Sequence, residues 1–162
     1  MDDEKVLEVI KIIGNEFLNL GSSPHGTRVI QKLIENLRNK EIMKLYNKKL
    51  EEHLIELSKD VNGNHIIQKY LYTIKYPENQ FVYEIITANL CEIATDKHGC
   101  CLLQKSLNAA DAEQRVNFNF YIKFYFLALF DWDSTQKSAW VYDWSVWKLC
   151  DSVYFDFRWL FH

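Results

Sequence analysis

The sequence reads His25-Gly26-Thr27-Arg28-Val29-Ile30-Gln31-Lys32 near its start, and the same pattern returns twice. The later copies are Asn62-Gly63-Asn64-His65-Ile66-Ile67-Gln68-Lys69 and His98-Gly99-Cys100-Cys101-Leu102-Leu103-Gln104-Lys105. Their glycines stand at positions 26, 63 and 99, so the intervals are 37 and 36 residues. A fixed period in this range is typical of stacked helical repeats. Two residues after each glycine vary while the Gln and Lys stay constant, which indicates one scaffold that presents a series of related contacts.

Each copy has the spacing of an amphipathic helix. If the first residue after the glycine is position zero, apolar side chains recur at positions two, three, six and seven and form one buried stripe. Positions zero, one and four are predicted to project from the opposite side, where zero and four are one turn apart. The predicted stripe contains Val29, Ile30, Leu33 and Ile34, then Ile66, Ile67, Tyr70 and Leu71, then Leu102, Leu103 and Leu107, with Ser106 the exception.

Further helices are predicted between the copies. Apolar residues keep a three-and-four spacing across residues 41–58, and again after Pro77, a residue that suits the first turn of a helix. The glycine of each copy fits a short turn into the projecting helix. These elements predict an all-α helical-repeat solenoid of about three repeats, in which each unit buries its apolar face against its neighbours. The spacing in 41–58 is carried by Ile42, Leu45, Tyr46, Leu50, Leu54 and Leu57.

Composition and charge exclude several classes of protein. With 162 residues the chain has room for one domain or a few repeats, and its net charge of −3 reveals no basic patch. The acidic, polar start argues against a secretory signal or transit peptide. The sequence contains no phosphate loop, no CxxC or other zinc pattern and no catalytic constellation, because the spacing of Ser134 and Lys137 alone carries no weight. We therefore expect neither an enzyme nor a metal or cofactor site.

The projecting positions have the chemistry of a nucleobase reader. Asn64 and Gln68 each carry a donor and an acceptor, enough to pair with the edge of one base. Arg28 and His65 are planar and suited to lie between successive bases, where stacking contributes about 1–3 kcal/mol per base. One base per repeat is how modular readers of single-stranded RNA work. An alternative stays open for each residue type. Each Gln could instead be a solvated surface residue of an unrelated helical array, and the Lys after it either contacts phosphate or is solvated.

The residues also carry a family resemblance. Residues 26–32 and 63–69 resemble the RNA-contacting helices of Pumilio (PUF) repeats, and residues 91–105 resemble the same element in plant members of that family. The resemblance spans about residues 7–115 and suggests a truncated homologue whose units correspond to the third, fourth and fifth repeats of the family domain. It implies a right-handed, Pumilio/armadillo-like superhelix with RNA-contacting helices near 26–37, 63–74 and 99–109.

By this resemblance the chain is a sequence-specific single-stranded RNA-binding protein. Asn64 and Gln68 would read uracil, the corresponding pairs of the other two repeats would read adenine, and the implied triplet is 5′-AUA-3′. Thr27 stands where Cys or Ser is usual, so its methyl group is expected to crowd the base, and Cys101 replaces a planar residue, which predicts a weaker stack. The implied RNA-binding residues are Thr27, Arg28, Gln31, Asn64, His65, Gln68, Cys100, Cys101 and Gln104.

The resemblance further implies a cytoplasmic regulator of mRNA translation and stability that binds 3′ untranslated regions. Its expected partners are single-stranded RNA and protein co-regulators, with neither DNA nor a membrane. Two alternatives remain from the residues: a helical-repeat scaffold that binds protein, and a non-functional truncated gene product.

The composition changes near residue 115, since all five Trp follow Arg115. We therefore predict a partial repeat domain over 1–115 and an aromatic-rich tail of uncertain structure over 116–162. The first hypothesis for the tail is translated intron or another extension from outside the family. The alternatives are a hydrophobic cap over the open end of the solenoid and a membrane-surface anchor; residues 118–130 are too short an apolar run to span a bilayer.

Overall fold

The computed structural model describes residues 3–132, without the side chains of residue 123 and residues 125–132. This described part is entirely helical, as the periodicity predicts. Its nine helices are α1 (Asp3–Ile13), α2 (Phe17–Ser22), α3 (Gly26–Ile34), α4 (Lys40–Lys59), α5 (Asn64–Thr73), α6 (Gln80–Ala88), α7 (Leu90–Ala94), α8 (Lys97–Ala109) and α9 (Ala112–Trp132).

The helices stack as a solenoid. The three projecting helices lie side by side, with α5 packed between α3 and α8, while the long α4 packs behind them against α2, α5, α6 and α8. The apolar side chains meet in one continuous core. An aromatic series runs along it, with ring centroids 5.6 Å apart for Phe17 and Tyr46, 6.0 Å for Tyr46 and Tyr70, and 5.8 Å for Tyr70 and Phe81. Each repeat thus buries its apolar face against its neighbours, which is how a solenoid is stabilised.

Most of the predicted apolar stripe is buried, but Val29 is not. Its side chain is 53% exposed, whereas Ile66, at the same position of the next copy, is fully buried. Ile66 reaches the preceding repeat, since a Cβ placed on Gly21 would lie 3.1 Å from its Cδ1. Because α3 is the first of the three aligned helices, the corresponding side of α3 is left open. Leu45, which belongs to the apolar spacing of residues 41–58, is also 41% exposed.

Ser106, the exception in the third copy, is compatible with the core. It is fully buried, and its hydroxyl donates to the backbone carbonyl of Leu102 at 2.9 Å. A buried polar group costs little when it is hydrogen-bonded. The polar residue therefore leaves the apolar stripe of α8 intact.

The repeated glycines are required by close packing rather than by turn geometry. No glycine in residues 3–132 has a positive φ. A Cβ on Gly26 would lie 2.3 Å from the carbonyl oxygen of Leu20, and one on Gly99 would lie 2.1 Å from that of Ile93. The start of each projecting helix thus touches the backbone of the preceding helix. Pro77 also departs from its prediction: it precedes α6, which begins only at Gln80, and its peptide bond with Tyr76 is cis.

The composition boundary near residue 115 falls inside α9. Phe118 and Ile122 on one side of this helix are buried, and the Phe118 ring packs 5.4 Å from that of Tyr83 on α6. Phe120 and Phe124 on another side are each 64% exposed. Among the described helices, none is long and apolar enough to cross a bilayer. The predictions that fall on residues 133–162, including the spacing of Ser134 and Lys137, lie outside the described residues.

Candidate RNA interface

The nine predicted RNA-binding residues occupy equivalent places on three neighbouring helices. Position one is exposed in every copy, and each Gln at position four is half-buried. Position zero is different from the prediction, because Thr27, Asn64 and Cys100 are only 5%, 4% and 2% exposed. These side chains do not project freely; they lie at the base of the surface, where the helix starts come close to neighbouring backbone. The structure therefore brings the three triplets into register but recesses one member of each.

In each of the first two triplets, the side chains at positions zero and four are hydrogen-bonded to each other. Gln31 Nε2 donates to Thr27 Oγ1 at 3.2 Å, and Gln68 Nε2 donates to Asn64 Oδ1 at 2.6 Å. A carboxamide has a second N–H and a carbonyl oxygen, so each Gln keeps groups for a base edge. The internal bond orients the Gln side chain before any ligand arrives.

The position-zero residues are themselves fixed by backbone groups. Asn64 Nδ2 donates to the carbonyls of Asp60 at 2.7 Å and Val61 at 3.0 Å, both in the turn before its own helix. Thr27 Oγ1 donates instead to the carbonyl of Asn62 in the following repeat, at 3.1 Å. The same position is therefore held locally in the second unit and across the repeat boundary in the first.

The residues at position one form the exposed edge of each triplet. Arg28 and His65 present planar cationic or aromatic groups suited to stacking on a base, while Cys101 offers only a thiol. In the third triplet Cys100 is buried and Gln104 is half-buried, as in the other two. All three units thus share one arrangement and differ in the chemistry that they offer.

Three polar residues that the sequence analysis did not single out bond the backbone where these helices begin. Ser23, Asp60 and Asp96 each stand three residues before the repeated glycine, and their side-chain oxygens accept from its backbone N–H at 2.9, 2.6 and 3.0 Å. Asp96 is the N-terminal cap of α8, whereas Ser23 and Asp60 are the C-terminal caps of α2 and α4. In each case the side-chain oxygen satisfies an N–H group that has no partner within its helix. Alignment of the three copies would have revealed this position, since it holds only Ser or Asp.

The Lys after each Gln was predicted to contact phosphate or to be solvated, and two of the three are in ion pairs. Lys69 Nζ lies 2.9 Å from Glu35 Oε1, and Lys32 bonds the other oxygen of the same carboxylate. Hydrogen bonds from Lys32 and then Lys69 lower the pKa of Glu35 from its ordinary value of 4.5 to about 2. One carboxylate therefore bridges the first two repeats next to the candidate interface.

A separate groove of about 680 Å³ lies between α6 and α9. It contains none of the nine predicted residues, so it is distinct from the candidate interface. Gln114 lines this groove, and its Nε2 donates to Asn79 Oδ1 and Gln80 Oε1, each at 2.9 Å. Residues 3–132 contain no group of three His, Cys, Asp or Glu side chains placed to hold a metal ion.

The arrangement of the repeats is matched by a known family. The profile of the Pumilio-family RNA binding repeat matches residues 16–48, 53–71 and 89–117. The chain belongs to the Pumilio family. The matched segments contain all nine predicted residues, and the last of them ends inside α9. Membership of a family of RNA-binding repeats agrees with the prediction that the chain is not an enzyme.

Curated Pumilio relatives cover most of the chain but extend well beyond it. Pumilio homolog 9 of Arabidopsis thaliana is 36% identical over 116 residues, 70% of this chain and 21% of the relative. Pumilio homology domain family member 4 of Saccharomyces cerevisiae is 48% identical over 69 residues, 42% of this chain and 8% of the relative. The chain thus spans less than a quarter of the length of each of these relatives.

Solved Pumilio-family structures share the fold. The Puf4 RNA binding domain, bound to the HO endonuclease RNA 3′ UTR recognition sequence, aligns with a TM-score of 0.69 and 37% identity over 75% of this chain and 38% of that one. The PUM-HD domain of Schizosaccharomyces pombe Puf1, in complex with RNA, aligns with a TM-score of 0.68 and 27% identity over 75% of this chain and 33% of that one. The solenoid superhelix predicted from the repeats is therefore confirmed.

Proposed function

We propose that this chain binds single-stranded RNA selectively, with one base on each of its three repeats. The observation that carries the proposal is the recurrence of one arrangement on three packed helices: a recessed residue at position zero, a half-buried Gln one turn later and an exposed residue beside them. The RNA-bound Puf4 and Puf1 structures support it, because they share the fold of this chain.

The resemblance to the family supplies the order of bases. Asn64 and Gln68 bind uracil with His65 stacked on it, Cys100 and Gln104 bind adenine, and Thr27 and Gln31 bind adenine with Arg28 stacked. The preferred triplet is 5′-AUA-3′. Three stacked bases contribute about 3–9 kcal/mol before the cost of association, so the affinity is expected to be about micromolar or weaker.

The cellular role that fits this binding is regulation of mRNA translation and stability through 3′ untranslated regions in the cytoplasm, together with protein co-regulators. The 3′ UTR sequence bound by Puf4 supports this assignment.

Fluorescence anisotropy with short RNAs tests the base preference directly. The unmodified chain should bind an RNA with a central AUA more tightly than one with ACA or AAA. Asn64→Ala combined with Gln68→Ala should abolish the preference, because both groups that meet the middle base are lost. Asn64→Cys alone makes the second unit resemble the third and should move the preference from AUA to AAA. Asn117→Ala, an exposed amide on α9, is the matched control and should change nothing.

The outcomes distinguish selective RNA binding from the two alternatives, a protein-binding scaffold and a non-functional gene product. Far-UV circular dichroism establishes whether each variant is folded. A folded chain that binds AUA, ACA and AAA equally would overturn base selection and favour a protein-binding scaffold. An unfolded unmodified chain would overturn the proposal in favour of a non-functional product.

A further inference from the structure

Glu35 is an acidic residue that lies between Lys32 and Lys69, next to the candidate interface. It ends α3, and its carboxylate pairs with Lys32 of its own repeat and with Lys69 of the next. The pairs are open to solvent, with side-chain exposures of 74% for Lys32, 35% for Lys69 and 37% for Glu35. Exposed ion pairs of this kind are modest in strength and screened by salt, so the carboxylate and other anions compete for the two lysines.

The position of Glu35 places this competition beside the proposed stacking residues. On α3, Arg28, Lys32 and Glu35 follow one another at intervals of four and three residues, which puts them in one row along the helix. On α5, His65 and Lys69 are four residues apart and share a row in the same way. An RNA strand whose bases lie on Arg28 and His65 therefore has its phosphates within the neighbourhood of both lysines.

We propose that Glu35 limits non-selective RNA binding by holding Lys32 and Lys69 away from the phosphate backbone. This inference rests on the proposed function. Phosphate contacts attract every sequence equally, whereas base contacts distinguish sequences. A carboxylate that occupies two lysines lowers this sequence-independent contribution, so the affinity for every RNA falls by a similar factor and the base contacts decide which RNAs still bind.

The test is the salt dependence of RNA binding by Glu35→Gln, with Glu52→Gln as the matched control. Glu52 pairs with Lys49 on α4 at 2.7 Å and is 38% exposed, so its substitution makes the same charge change away from the aligned helices. Each phosphate contact on a single strand adds about 0.7 to the slope of log K against log salt. Freeing two lysines should steepen the slope of Glu35→Gln by up to about 1.4, equivalent to about a sevenfold greater loss of affinity for a fourfold rise in salt.

The affinity at low salt gives the second readout. Glu35→Gln should bind a cytosine-only RNA and the AUA RNA more tightly than the unmodified chain does, by a similar factor of several-fold for both, because the gain comes from phosphate contacts. Glu52→Gln should match the unmodified chain, and Glu35→Asp should restore its slope. In a chain that carries Lys32→Met and Lys69→Met, the substitution Glu35→Gln should no longer steepen the slope.

Two results would overturn the inference. One is an equal slope for Glu35→Gln and Glu52→Gln, which would leave Glu35 as a link between repeats only. The other is a steeper slope that persists after both lysines are removed. Failure of the proposed function is distinguishable, because it would show as no AUA preference in the unmodified chain, whatever the slope of Glu35→Gln.

Discussion

Two stacked tyrosines in the core differ in hydrogen bonding. The rings of Tyr46 and Tyr70 lie 6.0 Å apart and nearly parallel. The Tyr70 hydroxyl donates to Asn47 Oδ1 at 2.7 Å, whereas the fully buried Tyr46 hydroxyl has no partner among the described residues. An unsatisfied buried hydroxyl costs about 1–3 kcal/mol, while a satisfied one contributes about 1 kcal/mol.

Removal of these two hydroxyls should therefore have opposite effects. Tyr46→Phe is expected to raise the free energy of unfolding by about 1 kcal/mol, and Tyr70→Phe to lower it by a similar amount. Urea titrations followed by circular dichroism would measure both. Destabilisation by Tyr46→Phe equal to that by Tyr70→Phe would contradict the prediction.

At the residue scale, the sequence predicted which side of each helix is apolar, but not how far the side chains on the opposite side are buried. Helical spacing places Asn64 and Gln68 one turn apart, and they are hydrogen-bonded in the structure. The same spacing does not give the distance between a projecting helix and the backbone of the helix before it. That short distance buries the side chain at position zero and leaves no room for a side chain at Gly99. That distance depends on how two helices cross, and no single segment contains it.

At the scale of the helix, α9 has an unusual distribution of aromatic residues. Phe118 is 2% exposed and packs against α6, while Phe120, two residues on, is 64% exposed. The helix is continuous across residue 115, so part of the aromatic-rich sequence belongs to the packed structure.

Alanine substitutions at these two positions would measure that contribution. Phe118→Ala should lower the free energy of unfolding by about 3–5 kcal/mol, because a large buried ring leaves a cavity. Phe120→Ala should change it by about 0.5 kcal/mol or less, as is usual for surface positions. Equal, small effects in thermal or urea unfolding would show that α9 is not packed on the repeats in solution.

The helices predicted near 26–37, 63–74 and 99–109 correspond to α3, α5 and α8, whose ends differ from the prediction by up to three residues. The helix predicted near 99–109 begins at Lys97 because Asp96 caps it, accepting from the N–H groups of His98 and Gly99. The helix after Pro77 begins later than expected because the turn that contains the proline continues to Asn79. Periodicity locates the middle of a helix, whereas its ends are decided by single side chains that satisfy backbone groups.

Across the whole array, the link between repeats through Glu35 should give an acid-dependent stability. The pKa of Glu35 is lowered in the folded chain from 4.5 to about 2, so its stabilising contribution is complete above the ordinary pKa and is lost as the pH falls through the folded value. The difference in urea midpoint between the unmodified chain and Glu35→Gln should be constant near neutral pH and shrink between about pH 4.5 and pH 2. High salt should reduce it at every pH, and a difference that grows with acid would refute the prediction.

The architecture of the molecule was the most predictable level, because a period of 36 or 37 residues between Gly26, Gly63 and Gly99 allows few folds. The exposure of Val29 was not predictable from the repeat pattern, since the pattern treats every copy as internal. Within residues 3–132, α3 has no aligned helix before it, so the position that is buried at Ile66 is exposed at Val29.

The hydrogen bond from Thr27 to Asn62 has a consequence for the redesign of such arrays. Thr27, which is proposed to contact the base of the first unit, also holds the turn of the second unit, whereas the hydrogen bonds of the Asn64 side chain lie within its own unit. Exchange of the recognition residue is therefore a self-contained operation in the second unit. In the first unit, replacement of Thr27 also removes a hydrogen bond to the second unit, so the recognition residues of the two units cannot be exchanged with the same effect.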